Sequence, residues 1–300
     1  EPVKAGQYIS ADDFKIQQWY YKPTINYGGP KLELETLEVK NFYLSDDRKK
    51  VFFELPGIKE NHVVYFRVMN PFTSQNDLSL WTTEAWYTLN KIPENQNGFT
   101  NDYQVVNNTI SENETAQGWK LLFDGKTTTG IRNYGKQTLG NKWSVKNGTL
   151  HFSGKGAGEG GDIIITDKLY KDYEFYMEWK ISKGGNSGVI YNVVESEEYD
   201  FPWMTGPEMQ ILDNIRHPDG KIFKHRAGDL YEAEKWNRIR IVSKGGKIQH
   251  WQNGHMLVEY QIGTEEWKEL IAGSKFKGWK GYGESDNGHI SLQDHSDPVW

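Results

Sequence analysis

The sequence predicts an all-β protein, in which a C-terminal antiparallel sandwich or jelly roll follows a small Ig-like or other β-sandwich segment. Three observations carry this. Glycine fills 31 of 300 positions, more than the roughly 7% of an average chain. Aromatic residues make up 14%, with 12 Trp and 17 Tyr, the large rings that β-sandwich cores use. Apolar and polar residues alternate with period two in several stretches, while helix-period segments are scarce.

The first segment, residues 1–92, reads as four or five short strands. Leu32, Leu34 and Thr36 alternate with Glu33 and Glu35, and the parity then shifts to Leu37 and Val39. Val51–Leu55 follows the turn residues Ser45-Asp46-Asp47-Arg48. Val63–Val68 is entered after Pro56-Gly57, and Trp86–Leu89 closes the series. No paired acids, His cluster or phosphate-binding loop stands in this segment, so a structural or adhesive role is expected. Residues 93–117 are Asn-rich and lack apolar periodicity, which marks a linker. Asn107, Asn113 and Asn147 each open an N-x-Thr sequon, relevant only in a glycosylating pathway.

From residue 118 to 300 the strand signal strengthens. Tyr173, Phe175, Met177, Trp179 and Ile181 alternate with polar or less apolar neighbours as a half-buried strand does. Ile163–Ile165 is a short apolar run. Arg238–Val242 reaches Lys244-Gly245-Gly246-Lys247, and Ile248–Gln252 meets Asn253-Gly254. Both are hairpin signals, so three consecutive antiparallel strands are expected. Phe223–Trp236 has room for a turn or two of helix.

Composition excludes several functions. Cys is absent, which removes disulfides, thiolate metal sites and Cys nucleophiles. A net charge of −6 offers no global field for nucleic acid. No apolar run has the length of a transmembrane helix. The chain starts at Glu1 without Met or signal peptide, which reads as a processed or trimmed product.

Four places have the residue types for chemistry. In Glu208–Asp213, Glu208 and Gln210 share a strand face with Leu212, while Met209 and Ile211 occupy the apolar one. Glu208 and Gln210 line a groove in one reading and a solvated outer face in the other. The lead-in Tyr199–Pro207, with Trp203, looks like a loop beside a sugar site. In Gly288–His295, Ile290 and Leu292 share one parity and Gln293 and His295 the other. The turn Lys183–Gly188 either is a plain hairpin or presents Asn186 and Ser187 at a groove rim. It is not a Walker loop, because neither Gly-Lys-Ser/Thr nor a helix follows. His217, Asp219, His225 and Asp229 form a loose polar cluster. A divalent metal at that cluster is weighed against loop solvation and capping, and Asp213 and His225 are candidate ligands should a metal take part. Lys224, His225 and Arg226 equally suit hydroxyls or a carboxylate. Glu208 and His295 are the candidate proton-transfer pair, with acid and base in unassigned order. Asn186, Ser187, Tyr191, Gln210, Trp203, Lys224 and Gln293 are candidate substrate contacts.

Seven motifs in order carry a resemblance: Trp119–Lys126, Trp143–Leu150, Gly184–Tyr191, Glu208–Asn214, Trp236–Ile241, Trp251–Gly254 and Leu292–Pro298. Over about residues 116–300 the chain resembles the 3-keto-disaccharide hydrolase family. The resemblance implies a concanavalin-like jelly roll with a carbohydrate groove on its concave sheet. It also implies a bacterial periplasmic, cell-envelope or extracellular location and cleavage of 3-keto-glycosides, in some members as a 1,2-lyase. Family domains continue past the LQDHSDP-like stretch into a further strand, so either the last strand is missing here, which would leave an unpaired edge, or the end was trimmed. The stretch Ser79–Pro93 is similar to the C-terminal add-on of bacterial envelope sugar dehydrogenase-like proteins. An oligosaccharide or keto-sugar is the expected partner, with no protein partner indicated.

A ketone at C3 acidifies the C2 proton. Cleavage then needs a base, an acid and a group that polarises the ketone. A retaining glycosidase would want a second acid where Gln210 stands, so ordinary hydrolysis ranks below keto-glycoside cleavage. A carbohydrate-binding module without turnover is the other class, with Trp203, Trp251 and Tyr191 as stacking platforms.

Overall fold

The computed structural model describes residues 1–300 except 5, 6, 8, 23, 26–28, 46, 93–107, 111 and 223–232. The chain forms two compact units. The first comprises Glu1–Val106 and Ser111–Trp119, the second Asn107–Ile110 and Lys120–Trp300. Among the described residues no helix is long and apolar enough to cross a membrane.

In the first unit, strands β1 (Phe14–Tyr21), β2 (Lys31–Thr36), β5 (His62–Val68) and β6 (Glu84–Leu89) make an antiparallel sheet of order β2-β1-β5-β6. A hairpin of β3 (Asn41–Leu44) and β4 (Val51–Glu54) packs on it through Phe53 and Phe14, whose rings meet edge-on at 4.9 Å. Ile16, Leu37, Val64 and Leu89 form the buried core. Strand β1 was not expected from the sequence. Its polar Gln18 interrupts the apolar pattern, yet it is fully buried. Its amide donates to Glu35 Oε1 and Gly57 O, both at 2.7 Å, and its Oε1 accepts from Lys59 N. A buried amide so satisfied costs little. A short helix, α1 (Glu112–Ala116), falls within the stretch expected to be linker.

The second unit adds β7 (Arg132–Asn133), β8 (Trp143–Lys146), β9 (Thr149–Phe152), β10 (Ile163–Ile164), β11 (Tyr173–Trp179), β12 (Asn186–Val193), β13 (Glu208–Leu212), β14 (Asn237–Lys244), β15 (Lys247–Gln252), β16 (His255–Gln261), α2 (Glu265–Ala272) and β17 (His289–Leu292). A five-stranded sheet, β13-β12-β17-β10-β7, faces a four-stranded sheet, β11-β14-β15-β16. All pairs are antiparallel. The core between them holds Val189, Tyr191, Met209 and Ile211 from one sheet and Phe175, Trp179, Ile239, Ile241 and Ile248 from the other.

The two hairpin turns are as expected. Gly245 and Gly246 have φ of 58° and 78°, and Asn253 and Gly254 have φ of 47° and 83°, the left-handed values that tight hairpins require. The helix α2 was not foreseen. Thr264 caps it, its Oγ1 accepting from Trp267 N at 3.2 Å, and Trp267 stacks on Tyr260 with centroids 4.5 Å apart. At the chain end, Val299 bridges to Phe152 and Ile181. The possible helix within Phe223–Trp236 lies largely outside the described residues.

Candidate functional site

The face of the five-stranded sheet turned away from the core is set by side-chain parity. On β13, Met209 and Ile211 point into the core and are nearly inaccessible. Each gains about 1.5–3 kcal/mol from burial. A one-residue slip would forfeit both, so Glu208 and Gln210 are held on the opposite face. On β12, Val189 and Tyr191 join the core, while Ile190 and Val193 join a smaller outer cluster with Ile164 and Trp203.

Cross-strand register arranges this outer face in lines. Glu208 pairs with Ile190, Ile190 with Ser291, and Ser291 with Ile164. The adjacent line starts with Gln210 opposite Gly188. Gln293 continues it, its N donating to Gly188 O at 2.9 Å. The register of β10 with β17, extended by one residue, brings Asp162 beside Gln293. Four polar side chains thus come from three separate stretches of sequence.

Glu208 leans from its own line into the next. A Cβ built on Gly188 would overlap Glu208 Oε1 and lie 2.6 Å from its Cδ. The carboxyl therefore occupies the space a side chain at 188 would take. Its Oε1 is buried without a hydrogen-bond partner, as are Ser291 Oγ and Gln293 Oε1 on the same face. Burial pushes the Glu208 carboxyl up to about 7; the Asp162 charge adds to this and Lys275 opposes it. Asp162 is also pushed up to about 7, chiefly by burial, while the hydrogen bond from Asp294 N pulls it down. That bond, Asp294 N to Asp162 Oδ1, measures 2.8 Å, and Gly161 N returns one to Asp294 Oδ2 at 2.7 Å. A carboxyl that exchanges its proton near neutral pH has the property a general acid or base needs.

The other expected residues divide. Gln210 donates through Nε2 to Asn186 Oδ1 at 3.2 Å, which joins Asn186 to the face. Asn186 N donates to Asp297 Oδ2 at 3.1 Å, fastening the loop that carries His295 alongside. His295 is half-exposed, with Nδ1 3.9 Å from Asp297 Oδ2 and its ring 6.1 Å from that of His217. Trp203 packs at the Ile190 end.

Tyr191 needs correction. It has the core parity, is fully buried, and its hydroxyl bonds His250 Nε2 at 2.6 Å and Tyr260. It is no sugar contact. Ser187 has the same parity and braces β17, donating to Gln293 O at 2.9 Å, so it is not at a rim. Trp251 lies on the outer side of the four-stranded sheet, under Arg240 at 5.6 Å, and is not a platform on this face. Asp213 accepts from Gly184 N, Ile215 N, Arg216 N and the Arg216 guanidinium, so its oxygens tie down a loop. Among the described residues no group of three or more His, Asp or Glu is arranged to hold a metal. Lys224 and His225 lie outside the described residues. Asp162, Ser291 and the role of Gly188 were not found from the sequence, because strand order alone brings them together.

The outer face of this β-sandwich is lined by carboxyl and amide groups, and the fold alone does not assign its function. Residues 118–300 match the family model of the 3-keto-alpha-glucoside-1,2-lyase-like domain, and the chain belongs to that family. A 3-keto-disaccharide hydrolase of Bacteroides thetaiotaomicron is 36% identical over 222 residues, covering 62% of this chain and 76% of that protein. The crystal structure of a candidate glycosyl hydrolase from Parabacteroides distasonis matches with a TM-score of 0.57 and 29% identity, over 64% of this chain and 94% of that one. A second such structure from that organism has a TM-score of 0.41 and 22% identity, over 52% and 84%. The chain is thus of the glycoside-cleaving, hydrolase-like class.

Proposed function

We propose that the protein cleaves the glycosidic bond of 3-keto-glycosides by elimination followed by hydration. The C2–H proton passes to a base, and its electron pair forms the C1=C2 double bond as the C1–O bond breaks. The departing oxygen takes a proton and leaves as an alcohol. Water then adds across C1=C2 to give the free 3-keto-sugar. Glu208 and His295 serve as the proton-transfer pair, in unassigned order, with Gln210, Gln293 and Asn186 orienting hydroxyls. The observation that supports this most is the buried, unpartnered Glu208 oxygen lying over Gly188. Lyase chemistry finds its support in the family.

A second reading has its own observation. Asp162 supplies the second acid that position 210 lacks, on the same sheet face as Glu208. It stands two strands from Gly188, roughly 9–10 Å at the backbone. Two carboxyls flanking a glycosidic bond are the equipment of ordinary hydrolysis. Turnover of 4-nitrophenyl 3-keto-α-glucoside beside its unoxidised parent separates the two. Selective cleavage of the ketone supports elimination, and equal or preferential cleavage of the parent supports hydrolysis. Binding without cleavage of either would leave a carbohydrate-binding module.

A further inference from the structure

Beyond the Glu208 line the outer face changes character. Toward Asn186 and His295 it is polar; toward Val193 it is aromatic. Trp203 sits on Ile190, Ile164 and Val193. Phe201 stacks on Trp203, with centroids 5.0 Å apart and planes 10° from parallel. Trp279 closes on Trp203 at 5.2 Å. Trp279 meets Phe276 edge-on at 5.4 Å, and Phe276 stacks on Tyr282 at 4.0 Å. Ile190, in the cluster on which Trp203 packs, pairs with Glu208 across β12 and β13. The rings therefore form one band that begins beside the Glu208 line. Its outer members are partly exposed: Phe201 is 48% and Trp279 37% exposed.

We propose that Phe201, Trp203 and Trp279 are the residues that set specificity for the leaving-group sugar. The proposal rests on the glycoside-cleaving reading above. Glu208 stands at the boundary between two surfaces. The sugar that reacts must be oriented through its hydroxyls and ketone, which suits the amides of Gln210, Gln293 and Asn186. The leaving sugar needs no hydrogen bond to its reacting atoms beyond the bridging oxygen. Its axial C–H face matches the flat, polarisable faces of indole and phenyl rings.

The test compares the wild type with Trp279→Ala, Phe201→Ala and Trp279→Phe on two substrates. One is maltose oxidised at C3 of its non-reducing glucose; the other is methyl 3-keto-α-glucoside. Their unoxidised parents replace them if the wild type cleaves only those. Each alanine variant is expected to raise KM for the disaccharide about tenfold while changing kcat/KM for the methyl glycoside less than about twofold. Trp279→Phe should restore most of the disaccharide affinity. Equal losses on both substrates, or none on either, would overturn the assignment, and thermal unfolding would show whether an equal loss is a folding defect. If the wild type cleaves neither series, the cleavage reading fails instead. Tryptophan fluorescence titration with the same ligands then decides the assignment, which requires tighter disaccharide binding that Trp279→Ala abolishes.

Discussion

The carboxyl of Glu208 lies where the side chain of residue 188 would be, so the absence of a Cβ at Gly188 is what lets Glu208 reach the Gln210–Gln293 line. Gly188 is not among the positive-φ residues, so alanine there is allowed by the backbone and its effect is steric. Gly188→Ala is expected to displace the carboxyl. Overpacking costs about 1–3 kcal/mol, and turnover should fall about 100-fold or more, toward that of Glu208→Gln. Combining the two substitutions should cost little more activity than either alone, because both remove the same group from the same place. Additive losses in that cycle would show that Gly188 acts otherwise.

The raised proton affinity of Glu208 has a consequence for stability. Its carboxyl goes from an ordinary 4.5 to about 7 in the folded protein, so between those values the folded state binds more protons than the unfolded one. The stabilisation is complete below about pH 4.5 and is lost as pH rises through 7. Glu208→Gln removes this group's share. Relative to the variant, the wild type should lose up to about 3 kcal/mol between pH 5 and pH 8. Asp162 titrates in the same range and couples to it, so the pair, not either residue alone, sets the apparent midpoint. Urea unfolding of both proteins at the two pH values measures the difference, and parallel stabilities would contradict it.

Tyr191 illustrates what the sequence conceals. Its hydroxyl joins His250 and Tyr260 in the core, and burial lowers the His250 imidazole to about 4, so it stays neutral. Tyr191→Phe leaves both partners short of a hydrogen bond inside the sandwich. We expect a loss of about 1–3 kcal/mol in stability with KM unchanged, measured by thermal unfolding and steady-state kinetics. A change in KM at constant stability would return Tyr191 to the site.

Alternation made the faces of β13 and β17 legible, because Met209/Ile211 and Ile290/Leu292 declare which side is apolar. The Gly-Gly and Asn-Gly turns did the same for β14–β16. Strand β1 was hidden because Gln18 is polar, buried and satisfied by partners distant in sequence. Tyr191 was misread because every residue of β12 is buried, so composition there does not distinguish the two faces. Asp162 was missed for a topological reason. The order β13-β12-β17-β10-β7 interleaves distant segments, and no local pattern announces that β10 will lie beside β17. Trp279 joins Trp203 by the same long-range route.

Two substitutions separate the candidate mechanisms. Asp162→Asn keeps an acceptor for Asp294 N, so the clasp between the 160–162 loop and Asp294 should survive. It removes a charge and an exchangeable proton from the Glu208 face. His295→Ala removes a half-exposed ring beside Asp297. Elimination by Glu208 and His295 expects His295→Ala to lower kcat by about 100-fold or more, in the range of lost acid–base catalysis. Asp162→Asn should then cost less and shift the Glu208 limb of the pH profile downward, since a neighbouring negative charge is gone. Hydrolysis by Glu208 and Asp162 expects the reverse order, with Asp162→Asn near inactivity and His295→Ala close to wild type. Steady-state rates from pH 5 to 9 on the ketone and its parent record both orders, and near wild-type rates in both variants would remove both assignments.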